Sequence, residues 1–204
     1  MTKYISLLRG VNVGGKNKIS MPALKAAFEG RGFENVVTYI NSGNILFDSD
    51  LGLREAKAAC EDIIETGFGL KIAAGMITAG HLTDAAGHAP EWWNTGADCT
   101  HNALFAIPPA TADEIYAAIG EAKPEYEKVF CYGSVIFWSA PLKTFSRTRY
   151  SKIVGNKAVY NLITIRNANT TLKLAALAKG GDALGDAGDY PVDAMKKHIP
   201  LGRF

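Results

Sequence analysis

The sequence predicts an α+β fold built from two ferredoxin-like halves, each with the order β-α-β-β-α-β, and a C-terminal helix. Two observations support this prediction. Apolar segments flank two tight-turn signals, Asn41-Ser42-Gly43-Asn44 and Gly133-Ser134, and indicate one β-hairpin in each half of the chain. Apolar residues at helical spacings of three and four precede and follow each hairpin. The halves share a topology and no sequence motif.

The first half begins with an apolar strand and a helix that Ser20 caps, with Pro22 in its first turn. Gly67 and Gly69 end the second helix. In order, the predicted elements are a strand over 3–9, a helix from Ser20 to Gly30 or Gly32, strands over 36–40 and 45–47, a helix over 53–66 and a strand over 70–74.

A connector that is helical or irregular, with Thr78 as a cap, leads into the second half. Pro108-Pro109 ends the first strand of that half, and β-branched residues indicate its last strand. In order, the predicted elements are a strand over 102–107, a helix over 111–122, strands over 128–132 and 135–138, a helix over 146–154, a strand over 159–165 and a helix from Asn169 to Gly180-Gly181.

These elements divide the chain into residues 1–77, a connector over 78–99, a second half over 100–180 and a loop-rich tail over 181–204. No apolar run reaches the roughly 18 residues that span a bilayer, so we expect no membrane segment. The three cysteines are unclustered, which predicts neither disulfide nor zinc site and favours a reducing cytoplasm.

Charge is strongly segregated along the chain although the net charge is only +2. Residues 1–28 contain five basic side chains and no acid, and residues 128–181 contain nine basic side chains and no acid. If folding brings the two segments to one face, that face favours an anionic partner. The alternative is that folding mixes them with acidic residues into an ordinary solvated surface.

The run from Arg9 to Lys18 combines three glycines with three cations and no acid. Glycines let backbone N–H groups approach a ligand, and the cations favour an anion. Gly10 to Lys16 fits the phosphate-loop spacing G-x-x-x-x-G-K, but Asn17 stands where Ser or Thr would hold magnesium. Because the helix starts only at Ser20, nucleotide hydrolysis is disfavoured, which leaves an anion site or a ligand-free connection.

Two further segments are candidates. Arg166, before a helix that Asn169 or Thr170 caps, predicts an anion site at that helix N-terminus, or an Arg166 ion pair with an acid of residues 29–127. The segment 145–152 mixes basic and aromatic side chains in a way that weakly favours nucleic acid. The turn at Asn41 has a purely structural reading as well, because hairpins use these residue types for backbone reasons.

Catalytic patterns are sparse. None of the four histidines lies in H-E-x-x-H, no G-x-S-x-G occurs, and Cys99-Thr100-His101 lacks further metal ligands. The sequence therefore identifies no catalytic residue, no metal and no cofactor.

The segments Leu7–Asn17 and Thr38–Asn44 resemble the N-terminal signature of the uncharacterised bacterial family DUF1697. Ser151-Lys152 and the run from Thr164 to Thr170 resemble its C-terminal signature, except that Ala168 stands where the family commonly has Trp. The resemblance extends to about residue 178. It implies a two-part α+β fold, directs attention to the run from Arg9 to Lys18, the turn at Asn41 and the segment at Arg166, and implies no activity.

We therefore expect a cytoplasmic protein that binds an anionic, phosphate-bearing ligand, with nucleic acid as one form of it. Alternatives are an enzyme acting on a small phosphorylated or carboxylated metabolite in a cleft between the halves, and a structural or partner-binding domain without a ligand. The expected ligand-binding residues are Arg9, Asn12, Gly14, Gly15, Lys16, Asn41, Ser42, Asn44, Arg147, Arg149, Tyr150, Lys152, Arg166, Asn167, Asn169 and Thr170.

Overall fold

The computed structural model describes residues 1–180, and the predicted tail over 181–204 lies outside the described residues. The first half of the chain forms strands and helices in the predicted order, and Thr78 caps its last helix, as expected, by accepting a hydrogen bond from the His81 N–H. The elements are β1 Thr2–Leu8, α1 Met21–Gly30, β2 Glu34–Tyr39, β3 Asn44–Ser49, α2 Leu53–Phe68, β4 Ala74–Thr78 and α3 Ala79–Gly87.

The second half repeats this order with one change, since 3₁₀ turns and a short helix replace its second long helix. The elements are β5 Cys99–Ala106, α4 Ala112–Ile119, β6 Lys128–Tyr132, β7 Val135–Pro141, 3₁₀ helices at Leu142–Arg147 and Tyr150–Gly155, α5 Lys157–Tyr160, β8 Ile163–Asn167 and α6 Ala168–Ala178.

Each half contains one four-stranded antiparallel sheet, with the orders β2-β3-β1-β4 and β6-β7-β5-β8. This is the ferredoxin-like arrangement in both halves, so the predicted fold class is confirmed. The alternation of side chains along β1 explains how the first sheet is covered on both faces. Tyr4 and Leu8 pack under α1 and α2, whereas Ile5 and Leu7 face the apolar cluster shared with the second half.

The two sheets meet at their edge strands β4 and β8. A Cβ added to Gly75 of β4 would lie 2.9 Å from Cγ2 of Thr164 in β8, so only a glycine permits this approach. Helices α3 and α6 pack on each other and contribute Leu82, Ala85 and Leu174 to the cluster between the sheets. The halves therefore share one buried interface.

Two predicted strands were displaced by about four residues. The strand predicted over 70–74 is β4 at Ala74–Thr78, and the strand predicted over 159–165 is β8 at Ile163–Asn167. Ile72 instead packs into the first-half core before the ladder begins, and Val159 lies in α5, where Asn156 caps the turn. Local β-propensity was overridden by tertiary packing in both cases.

The helix predicted over 146–154 was also wrong. Two 3₁₀ helices surround Thr148 and Arg149 because the buried carboxylate of Glu127 accepts hydrogen bonds from the N–H groups of Arg149, at 2.7 Å, and Tyr150, at 3.2 Å. Those N–H groups are then directed away from an α-helical ladder. The predicted connector over 78–99 contains α3, which packs against α6.

Candidate functional site

Residues 9–18, here called the Gly-rich loop, fold as a small hairpin. Val13 and Lys16 form an isolated β-bridge, and the N–H of Lys16 donates to the carbonyl of Val13 at 3.1 Å. Gly14 and Gly15, between them, have φ values of 59° and 77°. A two-residue turn with positive φ at both positions favours glycine, so the turn geometry alone explains these two residues.

Asn12 anchors this loop at its base and to the neighbouring hairpin. Its side-chain amide donates to the carbonyls of Ile19, at 2.9 Å, and Asn41, at 2.8 Å. Its side-chain oxygen accepts from the N–H of Ile19 at 2.9 Å. The Gly-rich loop and the β2–β3 turn are therefore adjacent, a relationship that the sequence left open.

The turn between β2 and β3 is closely packed against the end of β1. Gly43 has a φ of 73°, and a Cβ there would lie 2.8 Å from Cβ of Leu8. The N–H of Leu8 donates to the carbonyl of Gly43 at 2.8 Å. Asn44 is fully buried, and its amide donates to the carbonyl of Tyr39 and to Oγ of Ser42, both at 3.0 Å.

Arg166 of β8 lies beneath both segments. Its Nε donates to Oδ1 of Asn44 at 2.5 Å, and its Nη2 donates to the carbonyl of Leu8 at 2.8 Å and that of Ser42 at 3.2 Å. Nη1 donates to Oγ1 of Thr164 at 2.8 Å and to a backbone carbonyl. These bonds join the three segments that carry the family resemblance.

The burial of Arg166 corrects its expected role. Only 8% of the residue is exposed, and its guanidinium donors are all directed at protein acceptors, so none is left for a phosphate. No carboxylate forms a salt bridge with it among residues 1–180, so the alternative of an ion pair also fails there. Desolvation lowers the pKa of Arg166 to about 10, and the side chain stays cationic at neutral pH.

Arg9 connects the Gly-rich loop to the second half. Its guanidinium lies 4.7 Å from the centroid of the Tyr160 ring, which is a cation–π distance. Lys157 stands on the same short helix as Tyr160 and is exposed. Within residues 1–180 no salt bridge neutralises Arg9. The same holds for the exposed lysines of the Gly-rich loop, of α5 and of the 3₁₀ helix before it, which are Lys16, Lys18, Lys157 and Lys152.

Arg147 and Arg149 lie at the other end of the second sheet. They follow β7, whose last residue, Pro141, pairs with the first residue of β5. The carbonyl of Arg147 accepts from Nζ of Lys123 at 3.3 Å. The residue preceding β8, by contrast, accepts a hydrogen bond from Ile107 just after the end of β5. About eight strand residues, or roughly 26 Å, separate the two ends, so these arginines and Arg9 do not share one site.

Tyr150 is not a surface residue. It is 1% exposed and packs against Trp138 in the core of the second half, with the ring centroids 6.0 Å apart. Burial raises the pKa of Tyr150 well above its usual range. A ligand cannot reach it without local opening, whereas Lys152 on the same 3₁₀ helix is exposed.

The cap of α6 also differs from the prediction. Asn167, and neither Asn169 nor Thr170, caps the helix, because its Oδ1 accepts from the N–H of Thr170 at 2.7 Å. Asn169 is exposed, and Thr170 is buried. Ala168, at the position where the resembled family commonly has Trp, is 2% exposed within the cluster between the sheets.

Sequence reasoning missed the residues of a cleft between the halves. The cleft has a volume of about 310 Å³ and lies between the start of α3 and the loop that leads into α4. His81, Thr111, Asp113 and Ser134 are the polar side chains in its lining. The only signal in the sequence was the position of His81 three residues after the cap Thr78, and that signal does not indicate a cleft.

Two further features of residues 1–180 concern groups of metal-type ligands and the buried thiols. No group of three or more His, Cys, Asp or Glu side chains is arranged there to hold a metal ion. Desolvation raises the pKa of Cys60 to about 12 and that of Cys131 to about 11, so both thiols are protonated at neutral pH. In the same range, no helix has the length and apolar character required to cross a bilayer.

Comparison with known proteins gives a matching family model and a similar solved structure. The family model described as "Protein of unknown function (DUF1697)" matches residues 1–137. A solved structure, described as that of the conserved bacterial protein SP0830 from Streptococcus pneumoniae, is 30% identical and superimposes with a TM-score of 0.78. The match covers 88% of this chain and 99% of that chain. No functionally curated protein matches.

Proposed function

The chain belongs to the DUF1697 family, which has no known function, and we propose that it binds an anionic, phosphate-bearing ligand at the Gly-rich loop. Nucleic acid is the form of this ligand that we test first. The observation that carries the proposal is the convergence of acid-free segments from both halves around this loop. These are residues 9–18, the β2–β3 turn and the segment around Tyr160.

Backbone donors add to the charge of this surface. The N–H groups of Gly14 and Gly15 donate to no acceptor within residues 1–180, and both residues are exposed at the tip of the hairpin. The ammonium of Lys16 follows them directly. N–H groups and cations together are the usual donors to phosphate oxygens.

The number of nearby cations sets the expected salt dependence of nucleic-acid binding. Arg9, Lys16, Lys18 and Lys157 are the four side chains that we assign to phosphates. For four contacts to a single strand, the slope of log K against log salt is about −0.7 per contact, or roughly −3. Association of this kind weakens steeply between low and moderate salt.

The test is fluorescence anisotropy with a labelled single-stranded oligonucleotide over a series of salt concentrations. Lys16→Ala should weaken binding and reduce the slope by about one contact. The matched control is Lys128→Ala, because Lys128 is also exposed but pairs with Ser139 near the opposite end of the second sheet. Equal losses in the two variants would point to nonspecific attraction and would contradict an assigned site.

A second candidate is an enzyme that acts on a small phosphorylated or carboxylated metabolite in the cleft between the halves. The presence of His81 and Asp113 in the lining of this cleft favours it, because imidazole and carboxylate groups are the usual general acids and bases. Its test is a thermal-shift panel of small anions that includes inorganic phosphate and pyrophosphate. A rise in melting temperature that His81→Ala removes and Lys16→Ala retains would support a site in the cleft. If the protein responds neither to the anion panel nor to the oligonucleotide, a domain without a ligand is favoured.

A further inference from the structure

The two sheets have the same strand register, so each position in one has a counterpart in the other. The pairs that establish this are Tyr4–Thr78 and Leu8–Ala74 in the first sheet, and Asn102–Asn167 and Ala106–Ile163 in the second. The counterparts Gly75 and Thr164 touch each other, as residues next to a pseudo-two-fold axis must. The molecule therefore contains two equivalent places where a β-hairpin turn of one half meets the last strand of the other.

The two places are built from different side chains. At one of them, Arg166 bonds to Asn44 across the halves. By register, the counterpart of Arg166 is Ile77, and that of Asn44 is Val135. Ile77 and Val135 are both buried in the apolar cluster between the sheets. The same fold is thus closed with an ion and an amide on one side and with two apolar residues on the other.

Stability does not explain why Arg166 and Asn44 stand where the other half has apolar residues. A buried guanidinium loses its hydration, and its partners here are neutral oxygens that return less than a carboxylate would. The apolar counterparts show that this fold can close without that cost. A role in holding the Gly-rich loop and the β2–β3 turn explains why a charged residue occupies this position.

The loops next to Arg166 are longer than their counterparts in the other half. On the Arg166 side, four residues connect β2 to β3 and twelve connect β1 to α1, whereas the counterpart connections contain two and five residues. The longer pair includes the Gly-rich loop. Arg166 bonds to the carbonyls of Leu8 and Ser42, which lie at the base of those two loops.

We propose that Arg166, together with Asn44, is the positioning residue of the anion site. It holds the end of β1 and the β2–β3 turn in fixed relation, and Asn12 transmits that relation to the Gly-rich loop through its bond to Asn41. Its buried charge also makes the potential at this end of the molecule more positive. The proposal rests on the proposed function for what the loop binds, and on contacts alone for how the loop is held.

The test replaces the polar pair with the residue types of its apolar counterparts, by combining Arg166→Ile with Asn44→Val. Hydrogen–deuterium exchange of the full chain should accelerate about tenfold or more in residues 9–19 and 41–43, while the β5 amides keep their protection. The melting temperature should stay at or above that of Arg166→Ile alone, because the single variant leaves Asn44 buried without its partner. Unchanged exchange in residues 9–19 would overturn the proposal.

Two further variants make the result decisive. Arg166→Lys keeps the charge, but one ammonium cannot reach Leu8, Asn44 and Thr164 together, so loop exchange should rise even if the double variant does not fold. Ile77→Val, the matched control at the counterpart position, should leave exchange in residues 9–19 unchanged. Exchange requires no ligand, so a failed oligonucleotide assay with a positive exchange result rejects the proposed function and retains the positioning role.

Discussion

Replacing Gly43 with alanine should destabilise the protein for two separable reasons. A side chain at its φ of 73° costs about 1–2 kcal/mol of backbone strain. The new Cβ would also lie 2.8 Å from Cβ of Leu8, a strand residue whose side chain is 0% exposed and cannot swing away. Overpacking of this kind costs roughly 1–3 kcal/mol. Together we expect a loss of about 2–5 kcal/mol in the free energy of unfolding.

Two other glycines separate the strain from the clash. Gly14 has a φ of 59° but nothing within 4 Å of an added Cβ, so Gly14→Ala should cost only the strain, about 1–2 kcal/mol. Gly30 has ordinary φ and open space in α1, so Gly30→Ala should be neutral or stabilise by up to about 1 kcal/mol.

The assay is urea unfolding monitored by circular dichroism, with the midpoint and the slope fitted for all three variants. The expected order of stability is Gly30→Ala, then Gly14→Ala, then Gly43→Ala. If Gly43→Ala lost no more stability than Gly14→Ala, the close packing of the turn on Leu8 would be refuted. A changed slope would instead indicate an altered denatured state.

Three other outcomes are expected. Asn12→Ala removes three hydrogen bonds of 2.8–2.9 Å and should raise amide exchange in residues 9–19; unchanged exchange would contradict the tether. Glu127→Gln should cost about 2–3 kcal/mol in urea unfolding, because three backbone N–H groups donate to this buried carboxylate and an amide offers one acceptor oxygen; a loss below about 1 kcal/mol would refute this. The pKa of Cys60 is raised from 9.0 to about 12 by burial, so the unfolded thiol ionises first and stability should fall by up to about 1.4 kcal/mol per pH unit above pH 9. Cys60→Ala should flatten that part of the profile, and an unchanged profile would argue against the buried thiol as its source.

The order of the elements followed from the sequence because its signals are local. Tight-turn residues such as Gly43 and Gly133 lie between apolar segments, and each hairpin formed where that pattern placed it. The displaced strands had the same kind of signal. Ile72 and Val159 have high β-propensity, but each is more stable packed against a core outside the ladder, and no neighbour in sequence reveals that.

The candidate site was only partly predictable for a related reason. The Gly-rich loop is recognisable from its composition. Arg166, however, has the same sequence context as an exposed arginine that precedes a helix. Its bonds to Asn44 and Leu8 span 122 and 158 residues. The cleft residue His81 likewise has no partner nearby in sequence that would mark it.

The amino-acid sequence by itself determined the α+β class, the two ferredoxin-like halves and the segments that lie around the candidate site. These depend on turn chemistry and on apolar periodicity, which act within a few residues. Only the tertiary structure decided which cations are buried, which face solvent and which share a surface. Those properties depend on how the sheets meet at β4 and β8, because burial and charge are set by neighbours in space.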